Sequence, residues 1–153
     1  LIAVIVLFAA FGYRQLNIKQ IPQDIAFKTI SGENLTLNQF KGQYVLITFW
    51  STDCPSCIEE IPHLIELHNK YSSNTLKIIA VTMSYTPPNQ VLEMAKAKQI
   101  PYAIALDPDS KIALNFGDIR LTPTTFLLNP NGKVDIHTIG LFDFSQIENR
   151  LQN

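Results

Sequence analysis

Charge is what this sequence has least of. Only 16% of its 153 residues are Asp, Glu, Lys or Arg, and thirteen acidic against twelve basic side chains leave a formal charge of −1. A chain so balanced, with no run of Lys or Arg, gives no electrostatic reason to expect nucleic acid as a partner. Cysteine is scarce too: Cys54 and Cys57 are the whole supply, and His63, His68 and His137 are scattered. No second Cys pair or close His pair is there to complete a zinc site. No glycine-rich nucleotide fingerprint is present, which argues against a bound nicotinamide or flavin. Internal repeats and low-complexity stretches are also missing. What remains is 46% hydrophobic, enough for one globular domain with an ordinary core.

The charge deficit is concentrated at the start, where Leu-Ile-Ala-Val-Ile-Val-Leu-Phe-Ala-Ala-Phe-Gly-Tyr precedes the first charge at Arg14. Thirteen helical residues reach about 20 Å, short of a hydrocarbon core of roughly 30 Å. Residues 1–13 therefore read as the exit half of a transmembrane anchor or of a signal-peptide hydrophobic region, and Ala10-Phe11-Gly12 offers small residues at a cleavage spacing. A buried core helix is the competing reading, disfavoured by the lack of any polar face. Anchor and signal both place the rest of the chain outside the cytosol. Residues 14–23 then form a polar linker and residues 24–153 the folded domain.

Within that domain, residues 25–30 and 35–37 around Ser31-Gly32 suggest a hairpin. The run Tyr-Val-Leu-Ile-Thr-Phe-Trp at 44–50 suits a strand buried on both faces. Ile58, Ile61, Leu64, Ile65, Leu67, His68 and Tyr71 recur at helical spacing, with Pro62 expected to kink the helix. Residues 76–81 read as a second buried strand, 86–88 as a loop, and 91–99 as a helix. A short strand at 102–106 and a short helix at 110–116 follow. Strands at 125–128 and 134–139 flank the turn Asn129-Pro130-Asn131-Gly132. Ser145 and Glu148 offer a capping box for a last helix ending at Leu151. The order β-β-β-α-β-α-β-α-β-β-α predicts an α/β fold with a mixed sheet covered on both faces.

The two cysteines lie three residues apart where the buried strand gives way to a helix. A thiol at a helix N-terminus meets unpaired N–H groups and the positive end of the dipole, which stabilise its thiolate. Cys54, at the mouth of the turn, is expected to attack, and Cys57, one turn in, to resolve the mixed disulfide. A static disulfide competes, although so short a loop gains little from cross-linking. So does a copper site using both thiolates and a distant His.

With Phe49-Trp50 ahead of Cys54-Pro55-Ser56-Cys57, then Glu60, Pro62 and Leu121-Thr122-Pro123-Thr124-Thr125-Phe126-Leu127, the chain resembles the thioredoxin superfamily. It is closest in pattern to the TlpA-like and ResA-like branch of membrane-anchored extracytoplasmic proteins, over about residues 24–150. The resemblance implies a thioredoxin fold with an N-terminal hairpin and an inserted central strand and helix, the latter at about 86–116. It also implies a cis bond at Pro123, with the Thr122 backbone turned toward the sulfurs to pair with substrate. Glu60 becomes a proton shuttle for Cys57, against the alternative of a solvated helix charge beside Glu59. Thr48 stands where cytosolic thioredoxin has a buried Asp, which makes Glu60 the more plausible proton carrier. Trp50 is expected to cover the disulfide edge.

Two departures stand out. Pro55 follows the first cysteine where most relatives have Pro before the second, and Asp53 replaces a frequent Trp. The Asp53 charge opposes the helix dipole at Cys54.

The expected activity is therefore thiol–disulfide exchange with client proteins in the bacterial periplasm or at the outer face of the cytoplasmic membrane. Cys54, Cys57 and Glu60 are the catalytic residues, and Trp50, Pro55, Thr122 and Pro123 the substrate-binding ones. No metal or cofactor beyond the Cys54–Cys57 dithiol is called for. Electrons would come from a membrane thiol carrier of the DsbD or CcdA kind, and clients of the apocytochrome c or copper-site type are implied by the resemblance. A disulfide oxidase of the DsbA kind and a Cu(I) chaperone are the alternatives. A peroxidase is disfavoured, because the Pro-x-x-x-Thr-x-x-Cys pattern is absent.

Overall fold

The computed structural model describes residues 21–152. The apolar stretch 1–13 and most of the expected linker lie outside these residues. Among the described residues no helix is long and apolar enough to cross a membrane.

The β-branched and aromatic run at 44–50 forms the central strand, and from Val45 onward every residue of it is buried. In chain order the strands are β1 (Ala26–Lys28), β2 (Asn34–Thr36), β3 (Tyr44–Trp50), β4 (Leu76–Thr82), β5 (Ala103–Leu106), β6 (Thr124–Leu128) and β7 (Val134–Ile139). The helices are α1 (Pro55–Tyr71), α2 (Pro88–Ala97), α3 (Lys111–Asn115) and α4 (Phe144–Leu151), with a 3-10 turn at Leu37–Phe40. Five strands form one sheet in the order β5-β4-β3-β6-β7. β3 pairs parallel with β4, and β4 with β5, through strand-helix-strand crossovers, while β6 and β7 run antiparallel as the closing hairpin. β1 and β2 form the expected N-terminal hairpin, and Thr29 bridges Ala105 at the β5 edge.

Because side chains alternate along a strand, β3 divides its residues between two cores. Leu46 and Trp50 join Leu64, Leu67, Ile78, Leu127 and Ile147 on the face carrying α1 and α4. Val45, Ile47 and Phe49 join Phe27, Leu37, Ile79, Ile112 and Phe126 on the other. The mixed sheet covered on both faces is thus what the molecule adopts.

Three local readings change. α2 begins at Pro88 rather than at residue 91, since proline at the first helical position loses no hydrogen bond. Ile21, read from sequence as linker, is 6% exposed and packs in the second core, where the Gln23 amide ties its carbonyl to that of Gly132 in the β6–β7 turn. The last helix is capped by Asp143, not by a Ser145–Glu148 box. The Asp143 carboxylate accepts the N–H groups of Ser145 and Gln146 at 2.9 and 3.3 Å, and Glu148 instead pairs with Lys70 and Tyr71 of α1. An ionised carboxylate accepting two backbone N–H groups also suits the positive end of the helix, so it outcompetes the serine.

Replacing Asp143 with Ala should cost about 1 kcal/mol of stability, whereas Ser145→Ala should stay within about 0.5 kcal/mol. Urea unfolding of the two variants separates the capping assignments; an equal or larger loss for Ser145→Ala would return the cap to Ser145.

Candidate active site

β3 ends at Trp50, whose carbonyl accepts the Met83 N–H at 3.0 Å and so ties the strand end to the chain leaving β4. The connection to α1 is short. Ser51 is buried, its hydroxyl donates to Asp53 Oδ1 at 2.6 Å, and its carbonyl accepts the Cys54 N–H at 3.4 Å. Cys54 then occupies the cap position of α1, and its sulfur accepts the Cys57 N–H at 3.2 Å. Pro55 follows at the first helical position. The cysteines are joined as a disulfide, with Cys54 9% and Cys57 3% exposed. When the bond is reduced, a thiolate at Cys54 sits against a helix N-terminus and an N–H already aimed at it. The exposed carboxylate of Asp53, tethered by Ser51, acts against that thiolate from the preceding residue.

Glu60 lies on α1 three residues past Cys57 and is 3% exposed, which removes the solvated-charge reading. Its Oε1 accepts the Phe142 N–H at 3.0 Å, from the chain between β7 and α4. Burial pushes the Glu60 carboxyl up to about 7; the Phe142 N–H pulls it down and the neighbouring Glu59 charge pushes it further up. Cys57, Glu60, Trp50, Thr48 and Tyr102 line one small cavity closed by Leu64 and Ile100. Tyr102 is 7% exposed, and burial, then the Glu60 charge, raises its hydroxyl. The indole Nε1 of Trp50 is buried without a hydrogen-bond partner. Thr48, beneath, is held by the Thr125 hydroxyl at 3.1 Å.

The Thr122–Pro123 peptide bond is cis, as expected. β6 runs antiparallel to β3 with Thr124 opposite Phe49, so Pro123 and Thr122 continue beside Trp50 and Ser51, where the cysteine turn begins. The Gly140 N–H donates to the Pro123 carbonyl at 2.8 Å and the Thr124 hydroxyl to the Leu121 carbonyl at 2.7 Å, which fixes this segment.

The structure thus brings Cys57, Glu60 and Trp50 into one cavity, puts Cys54 and Pro55 at the head of the helix that carries Cys57, and places Thr122 and Pro123 just ahead of β6, beside the end of β3. Sequence reasoning missed Tyr102 and Phe142. Tyr102 reads as an ordinary strand aromatic, and Phe142 contributes a backbone N–H that no side-chain pattern announces. The histidines make ring contacts instead: His63 lies against Phe144, His68 lies 6.4 Å from Tyr102, and His137 stacks on Phe126.

A dithiol at the head of the helix that follows the central strand of such a sheet, facing a cis-proline segment, defines a thioredoxin-fold exchange site. Known proteins agree. The sequence pattern described as the AhpC/TSA family matches residues 18–137. The chain is 30% identical over 141 residues to sporulation thiol-disulfide oxidoreductase A of Bacillus subtilis, covering 90% of this chain and 84% of that protein. It is 31% identical over 119 residues to thiol-disulfide oxidoreductase ResA of Halalkalibacterium halodurans, covering 77% of this chain and 66% of that one. The crystal structure of StoA from Bacillus subtilis superposes with a TM-score of 0.70 at 28% identity, over 84% of this chain and 96% of that chain. The chain belongs to the AhpC/TSA family, in its thioredoxin-like form, and is a thiol-disulfide oxidoreductase of the ResA and StoA type acting on client thiols or disulfides.

The raised Glu60 value has a consequence for stability. Its folded pKa, about 7, exceeds its ordinary value of 4.5, so the folded state binds the proton more tightly. Stability is then highest below pH 4.5 as far as this group is concerned, and falls as pH rises to about 7. The loss is roughly 3 kcal/mol. Unfolding of the oxidised protein at pH 5 and pH 8 should show that decline, and Glu60→Gln should flatten it; a variant with the wild-type slope would assign the effect elsewhere.

Proposed function

We propose that the protein is a membrane-tethered, extracytoplasmic reductase of client disulfides. The observation that carries the proposal is Glu60: a buried carboxyl brought to about 7, in the same cavity as Cys57. A group with that pKa exchanges a proton readily at neutral pH, as an acid-base partner for a buried thiol must. The apolar stretch 1–13 supports the tether and the compartment.

The chemistry runs as two exchanges. The Cys54 thiolate attacks one sulfur of a client disulfide, forming a mixed disulfide and releasing the other client sulfur as thiolate. Cys57 then gives its proton to Glu60 and attacks Cys54 Sγ, which expels the second client thiolate and closes the Cys54–Cys57 disulfide. Two electrons have passed from the protein to the client. Trp50 and Pro55 shape the mouth of the site, and the backbone at Thr122-Pro123 receives the client strand. A membrane thiol carrier of the DsbD or CcdA kind restores the dithiol, so the pair itself is the only redox group required. Clients of the apocytochrome c or copper-site type fit a reductase in that compartment.

Equilibration with glutathione tests the direction. A potential near −270 mV identifies a reductase, and one near −120 mV a DsbA-like oxidase. Iodoacetamide at neutral pH should label Cys54 ahead of Cys57, and the reverse order would exchange their roles. Glu60→Gln should slow release of a preformed mixed disulfide by about 10²-fold while leaving its formation by Cys54 unchanged; an unaltered release rate removes Glu60 from the mechanism.

A further inference from the structure

At Tyr102 the ring and the hydroxyl need separate explanations. The ring packs in the first core, where the residue is 7% exposed. The chain leaves α2 through Gln99 in the left-handed region, at φ 52°, and the Ile100 N–H donates back to the Ala95 carbonyl at 3.0 Å. Tyr102 then enters the core one residue before β5 begins at Ala103. Ile61, Leu64, Ala80 and Ile100, which line the cavity beside it, ask only for apolar surface. Phenylalanine would supply the same ring, whereas a hydroxyl taken out of water costs free energy unless it finds a partner.

A partner stands in the same cavity. Glu60 lines it with Tyr102, and the Glu60 charge reaches the phenol. An ionised carboxylate offers about four acceptor positions, and the Phe142 N–H fills one of them. The cavity encloses only about 10 Å³, room for about one water, so solvent cannot serve the rest as it would at a surface. The Thr48 hydroxyl is engaged with that of Thr125 at 3.1 Å. Trp50 Nε1 is also a donor on this lining, but its hydrogen is fixed in the indole plane, whereas a phenol hydrogen turns about its C–O bond to meet an acceptor. We propose that the Tyr102 hydroxyl donates to the ionised Glu60 carboxylate and so sets the proton affinity of that group.

Tyr102 is thereby a positioning residue. It exchanges no proton itself, because burial and the Glu60 charge keep the phenol protonated well beyond neutral pH. A donor to the charged form lowers a carboxyl pKa, so the hydroxyl acts with the Phe142 N–H and against burial. The other groups around Glu60 come from each neighbouring element. On α1, Glu59 pushes the carboxyl up, and Cys57 adds a thiol once reduced. β3 and β4 contribute Thr48, Trp50 and Ala80, none of them charged. Asp143, next to Phe142, is committed to capping α4. His68, beyond the Tyr102 ring, is lowered by burial and by the Lys77 charge, so its own charge is lost before the Glu60 midpoint. The inference bears on catalysis only through the role given above to Glu60 as the proton acceptor for Cys57.

The test follows the Glu60 carboxyl by carbon-13 NMR as pH is varied, in the oxidised full chain held in detergent micelles, with Glu60→Gln identifying its resonance. With the Cys54–Cys57 disulfide closed, no thiol titrates alongside it. Tyr102→Phe should raise the midpoint from about 7 by about one unit, the size of a hydrogen bond to a charged acceptor. Replacing Tyr102 with 3-fluorotyrosine, whose more acidic phenol is the stronger donor, should lower it. A midpoint unmoved by Tyr102→Phe, or shifts of one sign in both proteins, overturns the proposal whatever either change does to stability. Release of a preformed mixed disulfide, timed on the same proteins, reads the mechanism separately. At pH 7 it should slow about fivefold in Tyr102→Phe, the loss of ionised Glu60 that such a shift produces. A moved midpoint with unchanged release upholds the role of Tyr102 and removes Glu60 from the exchange.

Discussion

The Glu60 carboxylate is taken out of water by the first core and compensated by a single backbone N–H, that of Phe142. Much of the site answers to this constraint. An ionised carboxylate in such surroundings is costly, so its pKa rises to about 7 and near neutral pH the group can both hold and release a proton. The compensating N–H comes from a residue 82 positions away, on the chain between β7 and α4. The closing hairpin and last helix therefore do more than cover the sheet. They set the environment of the group that faces Cys57.

The fold makes this possible by putting its most buried strand next to its most reactive turn. β3 is bonded on both sides, parallel to β4 and antiparallel to β6, so its C-terminal end cannot drift. The cysteine turn hangs from that end, and Thr122-Pro123 approaches it along β6. With the chain between β7 and α4, which bonds Pro123 through Gly140 and Glu60 through Phe142, three loops of different origin converge, each carried by an element with its own place in the core. α1 then runs back across the sheet and buries Cys57, Glu60 and Leu64 on the side facing it.

How much of this was legible in the sequence follows from the range of each interaction. β3, β4, the β6–β7 hairpin and α1 are written in local periodicity, and their boundaries hold to within a residue or two apart from the three residues by which α1 precedes Ile58. The cysteines declare themselves by spacing. Glu60 could be placed on the Cys57 face of α1, yet its burial depends on Tyr102, Ile100 and Phe142, which no helical pattern reveals. Capping of α4 was misread because two candidates, Asp143 and Ser145, lie within one turn, and only the geometry shows the carboxylate taking both N–H groups.

Cys54 and Cys57 face opposite electrostatic problems. At Cys54, an N–H and a helix terminus favour the thiolate while the tethered, exposed Asp53 opposes it. At Cys57 the surroundings are apolar, and the desolvation that raises Glu60 must also disfavour a thiolate beside it. In so small a cavity, a negative charge on the Cys57 sulfur and one on the Glu60 carboxyl would repel each other. Passing a proton from Cys57 to Glu60 moves the charge without adding to it. In the proposed mechanism, this lets a buried thiol become a nucleophile in a cavity with no Lys, Arg or His among its described lining residues.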